Sequence, residues 1–235
     1  MEKKICRTVK VSAVHKNFNG ILKEDENIER NLSSLCEDMD TVLDVKVNDM
    51  SVVYYAAEKK LNDLLNDLLA RNLRRMSDVY DKALYLAVEN ANVDGMMICY
   101  AFGGNPGAFR NYALRYILMN ESYLENAIVM FKFLVEHGAD VNEDPELLQL
   151  ASYNGLTEYV KILFANGQKP YFDMKCFPRY ETPLCLAAKR KENLEVAKVL
   201  IENGCDLSQA NYAAVKVAFE RYNLQRLYWI VSRKI

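Results

Sequence analysis

Few residues in this chain are of a type and spacing that do chemistry. The two histidines, His15 and His137, stand far apart. The six cysteines are Cys6, Cys36, Cys99, Cys176, Cys185 and Cys205, with no Cys-x-x-Cys pair and no histidine beside any of them. A zinc site needs Cys and His at short fixed spacings, so no metal ligand set is expected. The thiols read as free and buried in a reducing compartment. The sequence holds no Gly-x-Ser-x-Gly elbow, no P-loop and no His-Glu-x-x-His. "FGGNPGAF" (102–109) is glycine-rich, but a phosphate cradle runs from strand through loop to a helix N-terminus. Here a helix leads in, so the stretch reads as a connecting loop. Asp78 and Asp81 form a carboxylate pair that general acid–base catalysis would use. At this spacing they read as turn and cap residues. His15 sits in an expected loop, and His137 in "VEHGADVN" is read as structural. No catalytic residue and no cofactor is assigned.

Composition narrows the classes further. Thirty Lys and Arg stand against thirty-two Asp and Glu, a net charge of −2, where a nucleic-acid binder usually carries a basic excess. No apolar run approaches the roughly eighteen residues of a membrane span. No apolar stretch follows "MEKKICRTVK" as a secretory signal would. The expectation is a cytoplasmic chain without nucleic-acid or membrane partners. Its 15 tyrosines suit an adhesive protein surface.

The elements show why. In "ETPLCLAAKR" (181–190), Thr182 is placed to cap a helix and Pro183 suits its first position. Leu184, Leu186 and Ala187 then lie on apolar faces. "LEVAKVLIENG" (194–204) makes a second helix, with Val196, Val199 and Leu200 at helical spacing and Gly204 as its stop. Such a helix hairpin is too small to bury its own apolar face and needs neighbours. Copies appear at 147–167, 83–104 and 51–72, at 112–142 with an insert at 120–127, and at 213–235. The first-helix anchors are Ala56, Ala87, Ile117, Ala151, Ala187 and Ala218, separated by 31, 30, 34, 36 and 31 residues.

"TPLCLAA", "GLTEYVKILFANG" and "FKFLVEHGADVN" resemble the ankyrin repeat. The resemblance implies an all-α solenoid of about six helix hairpins over residues 46–235, the last acting as a C-terminal cap. Cys185 replaces the His of the family's T-P-L-H, and Tyr54, Tyr85, Arg115, Gln149 and Lys216 stand there in the other copies. The hydrogen bonds that His makes between repeats are therefore absent or differently made. Residues 1–45 lack the pattern. Ile28, Leu32, Leu35, Met39, Val42 and Leu43 place an amphipathic helix there, inside an acidic stretch (23–45) of net charge −6. The segment reads as a cap on the first repeat or as a small functional module.

Resemblance to ankyrin arrays also implies a non-catalytic protein that binds another protein along first-helix ends and loop tips. The tip positions are Asp78, Val79 and Asp81; Ala108, Phe109 and Asn111; Asn142, Glu143 and Pro145; and Pro178, Arg179 and Glu181. The helix-end positions are Glu89 and Asn90, Met119 and Asn120, Tyr153 and Asn154, and Lys189 and Arg190. The aromatic loop "QKPYFDMKCFPRYE" (168–181) adds Tyr171, Phe172, Phe177 and Tyr180, and is either tucked into the stack or a contact surface. Divergent arrays with a non-repeat head resemble those of large DNA viruses, phages and intracellular bacteria. That implies binding, inhibition or recruitment of a host defence factor. The alternative is a scaffold that self-associates through residues 1–45, and the oligomeric state stays open, with a monomer slightly favoured.

Overall fold

The computed structural model describes residues 46–47, 50–70, 77–169 and 182–205. The expectations for the 1–45 segment, the copy at 213–235, Asn72 and the aromatic loop after Lys169 lie outside these residues. The chain divides into two compact units, Met1–Pro106 and Gly107–Ile235.

In the first unit, strands β1 (Lys46–Val47) and β2 (Met50–Ser51) pair antiparallel, with Val47 opposite Met50. This small hairpin was not expected from the sequence. Two helix pairs follow: α1 (Val52–Glu58) with α2 (Asn62–Ala70), and α3 (Ser77–Glu89) with α4 (Val93–Ala101). The first helices α1 and α3 pack on each other, and the second helices α2 and α4 do the same. In α2, Leu64, Leu65, Leu68 and Leu69 are buried at helical spacing. A fully buried leucine contributes about 1.5–3 kcal/mol, which a hairpin gains only by stacking.

The second unit repeats the plan. Its pairs are α5 (Ala108–Asn120) with α6 (Ala127–Glu136), α7 (Glu146–Tyr153) with α8 (Thr157–Ala165), and α9 (Pro183–Ala188) with α10 (Leu194–Glu202). Helices α5, α7 and α9 form one layer, and α6, α8 and α10 the other. The expected insert after α5 is a 3-10 turn at Glu121–Tyr123, closed by Asn126 in the left-handed region. Among the described residues, the fold is all-α apart from the β1–β2 hairpin.

The anchors Ala56, Ala87, Ile117, Ala151 and Ala187 are all 0% exposed. Small residues at most of these sites let neighbouring first helices approach closely. Three anchor carbonyls also close the turn between the paired helices: Ala56 O accepts from Leu61 N at 3.0 Å, Ala87 O from Asn92 N at 2.8 Å and Ala151 O from Leu156 N at 2.9 Å. Each such turn needs one left-handed residue before the donor. Gly155 fills that place with φ +75°, and Lys60 and Ala91 fill it with φ 60° and 52°. The second helices end alike. Gly104 N bonds Cys99 O, Ala139 N bonds Leu134 O, Gln168 N bonds Leu163 O and Cys205 N bonds Leu200 O, each just past a positive-φ glycine.

Thr182 caps α9 as expected, its hydroxyl accepting from Cys185 N at 3.3 Å, with Pro183 in the first turn. Ser51, in the same slot before α1, makes no cap bond, and its buried hydroxyl has no partner. The start of α5 departs most from expectation. Phe109, Arg110 and Asn111 all have left-handed backbones, φ 53°, 57° and 58°. This turn carries Asn111 into the interior, where its Nδ2 donates to Asp140 O at 2.8 Å.

Candidate functional site

Hydrogen bonds that cross from one hairpin to the next fix the surface of the second unit. Asn154, in the turn after α7, donates from Nδ2 to Leu118 O near the end of α5, at 2.9 Å. Asn193, before α10, donates to Ser152 O and Tyr153 O at the end of α7, both at 3.0 Å. Each amide satisfies carbonyls that a helix C-terminus leaves without partners. The first unit uses the same device: Asn92 Nδ2 donates to Ala57 O at 3.1 Å, and its Oδ1 accepts from Gly95 N at 2.9 Å. These staples were not expected from the sequence. Their signal is an Asn in each of three inter-helix turns.

The staples join three successive hairpins whose first-helix ends carry four of the expected contact positions. Met119 at the end of α5 is 65% exposed and Tyr153 at the end of α7 is 41% exposed. Lys189 and Arg190, after α9, are exposed. Arg190 Cζ lies 4.5 Å from the centroid of the Tyr153 ring, within cation–π range. Asn154 is exposed as a residue, but its amide is committed to Leu118.

The tip positions divide. Phe109 is 55% exposed, and Asn142 and Glu143 are exposed in the 3-10 turn Val141–Glu143, which Asp140 caps through Asn142 N at 2.8 Å. Asn111 and Val79 are buried. Both were expected at the surface, and the correction has a plain cause. Val79 faces the core of its helix, and the left-handed turn folds Asn111 inward. Tyr171, Phe172, Phe177, Arg179, Tyr180 and Glu181 lie outside the described residues. Tyr123, in the insert, is 93% exposed and was not singled out from sequence.

The place of the T-P-L-H histidine is put to other uses. Arg115 grips Asp144 of the next repeat with two bonds, Nε to Oδ2 at 2.5 Å and Nη2 to Oδ1 at 3.0 Å, and its Nη1 lies 2.8 Å from Glu146. The Asp144 side chain is nearly fully buried. Its Oδ1 also accepts from Glu146 N at 3.2 Å, and its carbonyl accepts from Gln168 Nε2 at 3.0 Å. This one aspartate therefore joins α5, the start of α7 and the end of α8.

His137 and Asp81 have structural partners, and His15 lies outside the described residues. His137 Nδ1 lies 2.7 Å from Phe133 O, and its ring stacks on Phe133 at 4.0 Å. Asp81 accepts from Asn105 N at 2.7 Å, which ties the loop after α4 to α3. Cys99, Cys185 and Cys205 are buried and not disulfide-bonded. Burial pushes the Cys99 and Cys205 thiols up to about 12, so neither is a nucleophile at neutral pH. Among the described residues, no helix is long and apolar enough to cross a membrane.

A family model described as ankyrin repeats (three copies) matches residues 118–211. No curated protein matches the chain. The matched span contains the end of α5 and all of α6 to α10, including the row from Met119 to Arg190. The matched residues support an ankyrin-repeat protein with an all-α fold. Ankyrin repeats are protein-interaction modules.

Proposed function

We propose that the chain is a non-catalytic binding protein and that Met119, Tyr153, Lys189 and Arg190 form the centre of its partner surface. The observation that carries this reading is the alignment of exposed apolar, aromatic and cationic side chains on successive hairpins, held in register by Asn154 and Asn193. Hot spots are enriched in aromatic residues and arginine, and a rigid surface binds without first having to be ordered. Phe109, Asn142 and Glu143 extend the surface toward the repeat tips. The loop residues Tyr171, Phe172, Phe177, Arg179, Tyr180 and Glu181 remain part of the proposal. On the resemblance to divergent arrays with a non-repeat head, the partner is a host defence factor that the chain inhibits or recruits, in the cytoplasm.

A tagged pull-down with mass spectrometry tests this, with wild type beside a Met119→Ser/Tyr153→Ala variant. A protein held by wild type and lost by the variant, at equal melting temperatures, supports the reading. Identical sets of bound proteins would count against it.

A further inference from the structure

Resting on that reading, we infer that the row takes an acidic segment of its partner protein: carboxylates meet Lys189 and Arg190, and an adjoining apolar side chain covers Met119 and the open part of Tyr153. Three observations point to this chemistry. Lys189, Arg190 and Lys191 are consecutive in sequence, and Lys189 and Arg190 are exposed. Among the described residues, no carboxylate lies within ion-pair distance of Arg190. Arg190 differs in this from Lys161, which has Glu158 at 2.6 Å, and from Lys198, which has Glu195 at 2.7 Å.

The Tyr153 ring decides how Arg190 meets a ligand. A guanidinium lying on an aromatic face keeps its in-plane N–H groups open, and these match a carboxylate two at a time. The stack also holds the side chain in place before binding, so less rotamer freedom is lost on contact. The main chain that carries Tyr153 is held too, because Asn193 donates to its carbonyl at 3.0 Å. Next along the row, Met119 offers a flexible apolar surface at 65% exposure. Helices α5 and α9 are two interaxial steps apart, about 16–20 Å in all. Five or six extended residues, at about 3.3–3.6 Å each, cover that distance. The acid nearest the cations in sequence is Glu192, which is exposed and lowers but does not cancel their positive charge; Glu121 follows Met119 at the other end of the row.

The test is to pan the full chain against a random peptide library displayed on phage. A synthetic copy of the enriched sequence is then titrated against wild type, Arg190→Glu, Met119→Ser and Tyr153→Ala. The expected peptides carry Asp or Glu beside an apolar residue. Their affinity falls roughly tenfold or more in Arg190→Glu and weakens with added salt. Peptides without acidic excess that bind Arg190→Glu normally, yet lose affinity in Met119→Ser and Tyr153→Ala, would overturn this inference and leave the proposed surface standing. Peptides indifferent to all three variants would overturn both. A library yielding no enriched sequence would also count against the inference. All three substitutions fall on exposed side chains, and matching melting curves confirm that the variants are folded.

Discussion

A Cβ added to Gly155 would stand 2.4 Å from Oδ1 of Asn193, the residue whose Nδ2 holds Ser152 O and Tyr153 O at 3.0 Å. The turn of one hairpin and the staple of the next therefore occupy one tight space. Gly155→Val meets two penalties: a branched side chain at φ +75°, and displacement of Asn193 from its two acceptors. Left-handed strain of about 1–3 kcal/mol and lost buried hydrogen bonds of about 1–3 kcal/mol predict a loss of roughly 2–6 kcal/mol. Thermal melting checks it, and an unchanged melting temperature would contradict this account of the turn.

Ala91 sits in the equivalent turn at φ 52° without glycine's freedom. Ala91→Gly is therefore expected to stabilise the chain by about 1 kcal/mol, the cost of the left-handed conformation for a residue with a Cβ. Part of that gain is offset by the greater freedom of glycine in the unfolded state. Urea titration reads the difference, and a clear destabilisation would show that the turn carries no strain.

Arg115 and Asp144 are unequal partners. The Asp144 side chain is 2% exposed and that of Arg115 is 33% exposed. Arg115→Ala leaves a buried carboxylate without its cation, a loss of about 3–5 kcal/mol. Asp144→Asn leaves a part-exposed guanidinium that still reaches Glu146, and costs less. Chemical denaturation of the two variants gives the order, and a larger loss in Asp144→Asn would reverse the argument.

Stability is expected to fall on the alkaline side. An unfolded thiol ionises near its ordinary value of 9.0, while Cys99 and Cys205 in the fold stay protonated up to about 12. The unfolded state thus binds fewer protons as pH rises from 9 toward 12. The stability present below pH 9 is lost through that window at about 1.4 kcal/mol per pH unit per thiol. Burial raises the Tyr159 phenol as well, which adds in the same direction. Denaturation followed from pH 7 to 10.5 in wild type and Cys99→Ala checks it: the variant has the shallower slope.

The repeat was legible because periodic burial writes itself into a sequence. The alanine anchors, the glycines after second helices and the Thr182–Pro183 start each depend on local geometry, and each lies where its residue type demanded. The staples of Asn92, Asn154 and Asn193 were not legible. An amide in a turn bonds locally or across a repeat, and only the stacking of hairpins decides which. Phe109 to Asn111 held no warning either, since three consecutive non-glycine residues are not expected in the left-handed region. Arg115 marked a departure from T-P-L-H, but its new partner Asp144 is 29 residues away.

The most direct test of the central claim is photo-crosslinking from single positions of the full chain. A photoreactive amino acid is placed at Met119, at Tyr153, or at the exposed outer position Glu195 of α10, and the chain is irradiated in lysate. One shared protein adduct is expected from Met119 and Tyr153, and none of that mass from Glu195. The same adduct from Glu195 alone, or adducts from all three positions alike, would contradict a partner surface along the first-helix ends.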